Sequence, residues 1–172
     1  MKKLSLLILL LVLAIAASAQ ANLNFADLPD AKAPTPMPNG YGNLNWTAVS
    51  YVNPFEWRGA GPGFKNQQNI AGADVAFGGG PCFSSVCASS LSWPFGFAVV
   101  SADVAAGFGP GTITVIAYYK GKFVGSQVYH LTTQVQTLVF PEAWDVITQL
   151  VIQPSPGGSF VLYDLKLYTL GG

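Results

Sequence analysis

The residue types best suited to recognising a ligand lie in an aromatic and amide-rich segment, residues 41–58. Its rings and polar neighbours are Tyr41, Asn43, Asn45, Trp46, Tyr51, Asn53, Phe55, Glu56, Trp57 and Arg58. Sugars present apolar C–H faces that stack on rings, and hydroxyls that pair with amides and carboxylates. A loop-borne or concave mixture of both is what a saccharide site requires.

Two rings in this part of the sequence are expected to be exposed. Trp57 lies beside Glu56 and Arg58, just before a glycine-rich break. Trp93 lies next to the cysteine-containing loop and is followed by a proline. The predicted ligand-binding residues are therefore Trp57, Glu56, Arg58, Tyr41, Asn43 and Trp93. The competing interpretation is that most of these rings fill a core, since a small domain needs large residues there.

Catalytic chemistry has weaker support in the sequence. A glycosidase needs two placed carboxylates, and Glu56 and Glu142 are the only glutamates, neither in a clean alternating strand pattern. A Ser–His–Asp arrangement could use only His130, which lies in a strand-like run without a glycine-flanked serine. No phosphate-binding loop or zinc-ligand spacing is present. The sequence therefore predicts no enzyme activity.

Cys82 and Cys87 are the two cysteines. In a secreted chain an even count predicts a disulfide, here closing a short surface loop and stabilising the fold by about 2 kcal/mol. Residues 45–47 (NWT) form an N-glycosylation sequon, which would place Asn45 on the surface in a eukaryotic host.

The N-terminus has the pattern of a secretory signal. Lys2 and Lys3 precede an apolar run at residues 4–15, followed by two overlapping cleavage motifs, residues 17–19 (ASA) and 19–21 (AQA). The apolar run is short for a membrane span, which needs roughly 20 residues. We predict that residues 1–21 are a cleaved signal peptide and that residues 22–172 form one domain. The protein is expected to be secreted and extracellular, or periplasmic or surface-located in a bacterium.

Charge excludes one class of partner. The full chain carries eight basic and eight acidic residues, and loss of Lys2 and Lys3 leaves the remainder weakly acidic. Without a basic patch or stripe, nucleic acid is not an expected partner. No second apolar segment is long enough to span a membrane.

The elements that must position these residues are strands. In residues 112–168, four apolar, β-branched and aromatic runs are separated by turn signals at residues 120–122, 132–136 and 154–158. Residues 22–28 read as a first strand, and residues 95–105 as a strand with Phe95, Phe97 and Val99 on one face. Residues 141–145 could close one helical turn. The pattern predicts an all-β, antiparallel sandwich or jelly roll.

Period-two alternation also predicts the core. The expected core residues are Phe97, Val99, Ile113, Val115, Leu138, Phe140, Leu150, Ile152, Phe160, Leu162 and Leu167.

Several of these runs resemble a known family. Residues 113–131 (ITVIAYYKGKFVGSQVYHL), 138–153 (LVFPEAWDVITQLVIQ) and 159–168 (SFVLYDLKLY) resemble the hairpin and closing strands of galactose-binding-like jelly rolls. Residues 24–29 (NFADLP) and 40–46 (GYGNLNW) resemble the openings of small secreted fungal and bacterial proteins, including exosortase-sorted ones. The sorting tail of those exosortase-dependent members is absent from the sequence, which favours free secretion.

The resemblance implies a jelly-roll fold and, for many members, carbohydrate binding. In that fold the first and last strands lie close together and often hold a structural calcium, so Asp27 and Asp164 are candidate ligands. The alternative is that Asp27 caps a turn and Asp164 satisfies backbone donors at a strand end. No cofactor is expected to be required beyond this possible calcium ion.

Three functions follow, in order. The first is a secreted, non-catalytic module that binds an extracellular polysaccharide or glycan. The second is a structural or adhesive protein that contacts a wall, a matrix or copies of itself. A glycan-active hydrolase is a distant third. A binding module should expose rings on one concave face, whereas a structural protein should bury them and expose a flat apolar patch.

Overall fold

The computed structural model describes residues 19–66, 74–79 and 87–170. Strands dominate these residues, and helical structure is confined to single turns at Tyr41–Asn43, Pro62–Lys65 and Glu142–Trp144. The last of these turns confirms the one predicted at residues 141–145. The strands are β1 (Ala19–Leu23), β2 (Thr35–Pro36), β3 (Asn45–Thr47), β4 (Val49–Val52), β5 (Val75–Gly79), β6 (Ser89–Ala106), β7 (Gly111–Tyr119), β8 (Lys122–Leu131), β9 (Gln136–Val139), β10 (Ile147–Pro154) and β11 (Ser159–Thr169).

The strands form two antiparallel layers that share the long strand β6. In layer one, β3 and β10 flank the first half of β6, and β7 and β8 follow β10 outward. In layer two, β11 and β9 flank the second half of β6, and β5, β4 and β2 extend the sheet beyond β11. Strand β1 also pairs with β11. This is the predicted all-β jelly-roll sandwich.

The β7–β8 hairpin is explained by its turn. Lys120 and Gly121 both have positive φ, 48° and 77°. A two-residue loop with two such residues matches the right-handed twist of the strands it joins, and glycine adopts that conformation at little cost. The predicted turn at residues 120–122 is therefore confirmed.

The main core lies between the layers, as period-two alternation requires. Leu91, Val115 and Leu150 of layer one line the same small internal cavity as Val104 and Leu162 of layer two. All eleven predicted core residues are buried, from Phe97 to Leu167. Hydrophobic burial of this kind contributes about 1.5–3 kcal/mol for each large side chain.

A second apolar cluster lies on the outer side of layer two. Tyr163 of β11 is fully buried there against Phe64, which comes from the helical turn Pro62–Lys65. The turn sits very close to the sheet, since the Gly63 amide donates to the Gly107 carbonyl at 2.9 Å and a Cβ at Gly63 would collide with the Ala106 carbonyl. Only glycine at position 63 allows this close approach. Residues 53–66 pack over the outer side of layer two, and we call this segment the cover.

Two strand predictions are wrong in detail. The first strand was expected at residues 22–28, but β1 ends at Leu23 because Phe25 has positive φ and the Ala26 amide bonds to the Asn24 side chain in a turn. Phe95 was expected on the buried face of β6, yet it is 57% exposed. Gly96, with φ of 97°, interrupts the alternation where β6 passes between layers.

The N-terminal predictions are not decided by the fold. Strand β1 begins at Ala19 and pairs with Thr169, so ordered pairing extends across the expected boundary at residue 21. Residues 1–18 lie outside the described residues, and the signal peptide stays a prediction. In the described ranges, no helix has the length and apolar character needed to cross a membrane.

The structure describes only one of the two cysteines. Cys82 lies outside the described residues, and Cys87 is among them. No cysteine in the described ranges is a free thiol. The Cys82–Cys87 disulfide itself stays a prediction.

Candidate functional site

Trp57 is half-buried and packs inside the cover of layer two. Its ring stacks on Phe77 at 5.9 Å and meets the edge of Phe64 at 5.2 Å. The prominent exposed ring of this segment is Phe55, at 55% exposure. Much of the Trp57 ring surface therefore serves packing.

The charged neighbours of Trp57 point to solvent. Glu56 is exposed and forms an ion pair with Lys32 at 3.1 Å. Arg58 is also exposed. Glu142, the other glutamate, is exposed at the start of the helical turn Glu142–Trp144.

Tyr41 is partly buried against the N-terminal end of the main core. Its ring stacks on Phe25 at 5.7 Å, and its hydroxyl donates to Asp27 Oδ1 at 2.7 Å. Burial, and then the Asp27 carboxylate, raise the pKa of Tyr41 above its usual range. Asn43 is exposed at the end of the same helical turn, with φ of 63°. Tyr41 is thus held in place by Phe25 and Asp27.

Trp93 is partly buried in β6. Its indole Nε1 donates to the Leu170 carbonyl at 3.3 Å, and its ring meets Phe95 at 5.5 Å. Trp93 and Tyr41 pack against the main core, whereas Trp57 packs in the second cluster. The three predicted rings are therefore divided between two packing environments.

The two candidate calcium ligands have different partners. Asp27 accepts the Tyr41 hydroxyl, whereas Asp164 in β11 lies opposite Asp103 in β6 and faces the Asn22 amide. Burial, and then the Asp103 carboxylate, raise the pKa of Asp164. No group of three or more His, Cys, Asp or Glu side chains within residues 19–66, 74–79 and 87–170 has the arrangement of a metal site. Calcium binding at Asp27 and Asp164 stays a prediction.

A different surface combines ring and hydrogen-bonding groups: the outer side of layer one. Burial alternates along its strands, so Trp46, Leu91, Leu150 and Ala117 point inward and their neighbours point out. We call this surface the amide–hydroxyl face. Its side chains are Asn45, Thr47, Ser90, Ser92, Thr112, Thr114, Ile116, Tyr118, Phe123, Ser126, Val128, His130, Gln149, Val151 and Gln153.

One row of this face crosses all five strands. Strand register places Asn45 opposite Ser92, Ser92 opposite Gln149, Gln149 opposite Tyr118, and Tyr118 opposite Phe123. The last two rings meet edge to face at 6.3 Å. Directly opposite side chains on one face have Cβ atoms about 5 Å apart, so the row is a continuous line of two amides, one hydroxyl and two rings.

The neighbouring rows continue this chemistry. They are Thr47–Ser90–Val151–Ile116–Ser126, then Gln153–Thr114–Val128, then Thr112–His130. None of the side chains on the amide–hydroxyl face is Asp, Glu, Lys or Arg. Such a surface offers hydrogen bonds without a net charge, which suits a neutral, hydroxyl-rich ligand better than an ionic one.

Part of the amide–hydroxyl face could be predicted from the sequence. In residues 112–118 the buried Ile113, Val115 and Ala117 alternate with Thr112, Thr114, Ile116 and Tyr118, so the outward set could be read as the complement of the core. Asn45 and Ser92 could not be assigned in this way, because β3 and the first half of β6 are neighbours only in the folded chain.

Comparisons with known proteins support the fold but do not identify a ligand. No protein-family model and no curated protein matches the sequence. A solved structure of a DUF4465 family protein from Bacteroides caccae ATCC 43185 matches with a TM-score of 0.57 and 12% identity, covering 90% of this chain and 94% of that one. At that identity the similarity shows a shared fold alone.

Two solved carbohydrate-binding modules match more weakly. One is TmCBM61 in complex with β-1,4-galactotriose, with a TM-score of 0.40, 13% identity, and coverage of 72% of this chain and 86% of that one. The other is a family 16 carbohydrate-binding module, with a TM-score of 0.36, 14% identity, and coverage of 71% and 89%. Since both TM-scores are low, any argument for a ligand must come from the geometry of this chain.

Proposed function

We propose that this protein is a secreted, non-catalytic module that binds a neutral polysaccharide or glycan on the amide–hydroxyl face. The observation that carries the proposal is the row Asn45–Ser92–Gln149–Tyr118–Phe123, which places amides, a hydroxyl and two rings on one uncharged sheet surface. Amides and hydroxyls can both donate and accept, as sugar hydroxyls do.

The size of the face favours a chain over a single sugar. Neighbouring strands lie about 4.8 Å apart, so a row across five strands extends over roughly 19 Å. Extended oligosaccharides could lie along such a row and meet each strand in turn. Tyr118 and Phe123 would supply the stacking surface at one end, next to the β7–β8 turn.

The test is a binding screen of the mature protein against neutral soluble glycans and insoluble polysaccharides, with a Tyr118→Ala variant. A ring that stacks on a bound ligand contributes about 2 kcal/mol, so we expect Tyr118→Ala to weaken binding at least tenfold. The matched control is Tyr119→Ala, since Tyr119 is the next residue, is exposed, and does not belong to the face.

Two outcomes would contradict this location. Full binding by Tyr118→Ala, with loss in a folded Trp57→Ala variant, would place the ligand on the loop at residues 55–58. The absence of binding to any glycan would favour the second candidate, a structural or adhesive protein. That candidate is supported by several exposed apolar side chains on both layers, including Val128, Val139 and Phe95.

A further inference from the structure

Strand β8 lies at an edge of the sheet and is longer than the other edge strands of the described residues. It has ten residues, and in the described part of the chain it pairs only with β7, so its other edge has no strand partner. Its side chains are exposed on both faces, with Phe123 at 64%, Val124 at 39% and Val128 at 53%. The one side-chain bond to a β8 backbone group among the described residues is from Gln127 Nε2 to the Val128 carbonyl, at 3.5 Å. The other edge strands among the described residues are β1, β2, β3 and β9, and they are shorter, with two to five residues.

The usual protection of an edge is weak here. Proteins normally block edge pairing with lysines, prolines, bulges or a short strand. The strand Lys122–Leu131 has no proline, and its only charged residue, Lys122, is at the first position. The single register irregularity lies near the turn, so residues 125–131 pair continuously with β7 and present a straight edge.

We propose that two copies of this chain associate by antiparallel pairing of their β8 strands. Unpaired N–H and C=O groups along an edge are best satisfied by another strand. Antiparallel self-pairing would place the two Lys122 side chains at opposite ends of the joint, so no like charges meet. The exposed valines and Phe123 would gain apolar neighbours from the second copy.

This dimer would extend the proposed function, because its biological role rests on glycan binding by the amide–hydroxyl face. The two-fold axis of antiparallel strand pairing is perpendicular to the sheet, so both amide–hydroxyl faces would point to the same side. The dimer would then carry one continuous surface of ten strands. A long polysaccharide could contact both halves, and the second contact would be intramolecular and therefore favoured.

The test uses the full mature chain in sedimentation velocity or multi-angle light scattering over a concentration series. We expect a dimer, and we expect Gln127→Lys to raise the dimer dissociation constant at least tenfold. Gln127 is exposed on β8 but points away from the amide–hydroxyl face, so the substitution spares the ligand surface. Gln134→Lys is the matched control, at an exposed residue of the β8–β9 loop.

Each outcome separates the two proposals. A monomer at every concentration, or a dimer that Gln127→Lys leaves intact, overturns β8 pairing. A dimer lost in Gln127→Lys but kept in Gln134→Lys supports it, whether or not a glycan binds. If Gln127→Lys also weakens binding to a long polysaccharide while affinity for a short oligosaccharide is unchanged, the dimer acts through bivalency.

Discussion

The outer sides of the two layers differ in how far another part of the chain covers them. On layer two, Val161 and Tyr163 would present apolar surface to water, and the residue 53–66 segment covers them with Phe64 and Trp57. On layer one, the outward side chains are mostly hydroxyls and amides, and they remain at least partly exposed. Trp57, one of the rings predicted to bind a ligand, therefore helps to cover layer two, whereas the outward side chains of layer one remain accessible to solvent.

The strongest test of this difference is Phe64→Ala. Phe64 is almost fully buried and contacts Trp57, Phe77 and Phe108, so its truncation should lower the free energy of unfolding by about 3–5 kcal/mol. Urea denaturation would measure this loss. Phe55→Ala, at a mostly exposed ring, is the control and should cost far less. Equal losses in the two variants would mean that the cover is not a packed cluster.

The next effect concerns Asp74, which precedes β5 at the edge of the cover. Its side chain is only 4% exposed, and in the described ranges neither carboxylate oxygen accepts a hydrogen bond of good geometry, although the Ala31 backbone amide lies near. Burial, and to a lesser extent the carboxylates of Asp30 and Glu56, raise the pKa of Asp74 to about 6, against the lowering effect of the Ala31 backbone amide.

Asp74→Asn should therefore stabilise the protein at neutral pH. Because the folded-state pKa lies above the unfolded value, protonation of Asp74 favours folding, and this stability is lost as pH rises from about 4 to 6. At pH 7 the variant should gain up to about 3 kcal/mol, and the gain should vanish near pH 4. Thermal melts across that range would measure it, with the exposed Asp145→Asn as control. A gain that is the same at pH 4 and 7 would exclude a titration effect.

On the uncovered face, Gln149→Ala should change recognition without changing stability. Gln149 lies at the centre of the row between Ser92 and Tyr118, so it should contribute about one hydrogen bond, or roughly 1 kcal/mol of binding. Affinity for a neutral polysaccharide should fall several-fold in calorimetry, at constant melting temperature. The control is Gln134→Ala. A large drop in melting temperature instead would show that this face is structural.

The smallest effect is expected for Tyr163→Phe. The Tyr163 hydroxyl is buried without a hydrogen-bond partner in the described residues, and burial raises the pKa of the phenol. Removing an unsatisfied buried hydroxyl avoids its desolvation cost, so the variant should be stabilised by up to about 1 kcal/mol. Urea denaturation beside the wild type would measure this. A clear loss of stability would indicate that the hydroxyl has a partner beneath the cover.

Much of the fold could be predicted because its signals are local. Alternation identified Val115, Leu150 and Leu162 as core residues, and the Lys120–Gly121 pair indicated the tight β7–β8 turn. Where a local backbone feature interrupted the alternation, the prediction failed. Gly96 moved Phe95 out to solvent, and the turn at Phe25 ended the first strand early.

The candidate site was much less predictable, because recognition depends on neighbours that are distant in sequence. The sequence alone determined the antiparallel β-sandwich, its core and the tight turn at residues 120–122. Only the tertiary structure decided that Asn45, Ser92, Gln149 and Tyr118 form one row, and that Trp57 is part of the cover over layer two. The physical reason is that side-chain alternation is a property of one strand, whereas strand order and register are set by how all strands bury their apolar faces together.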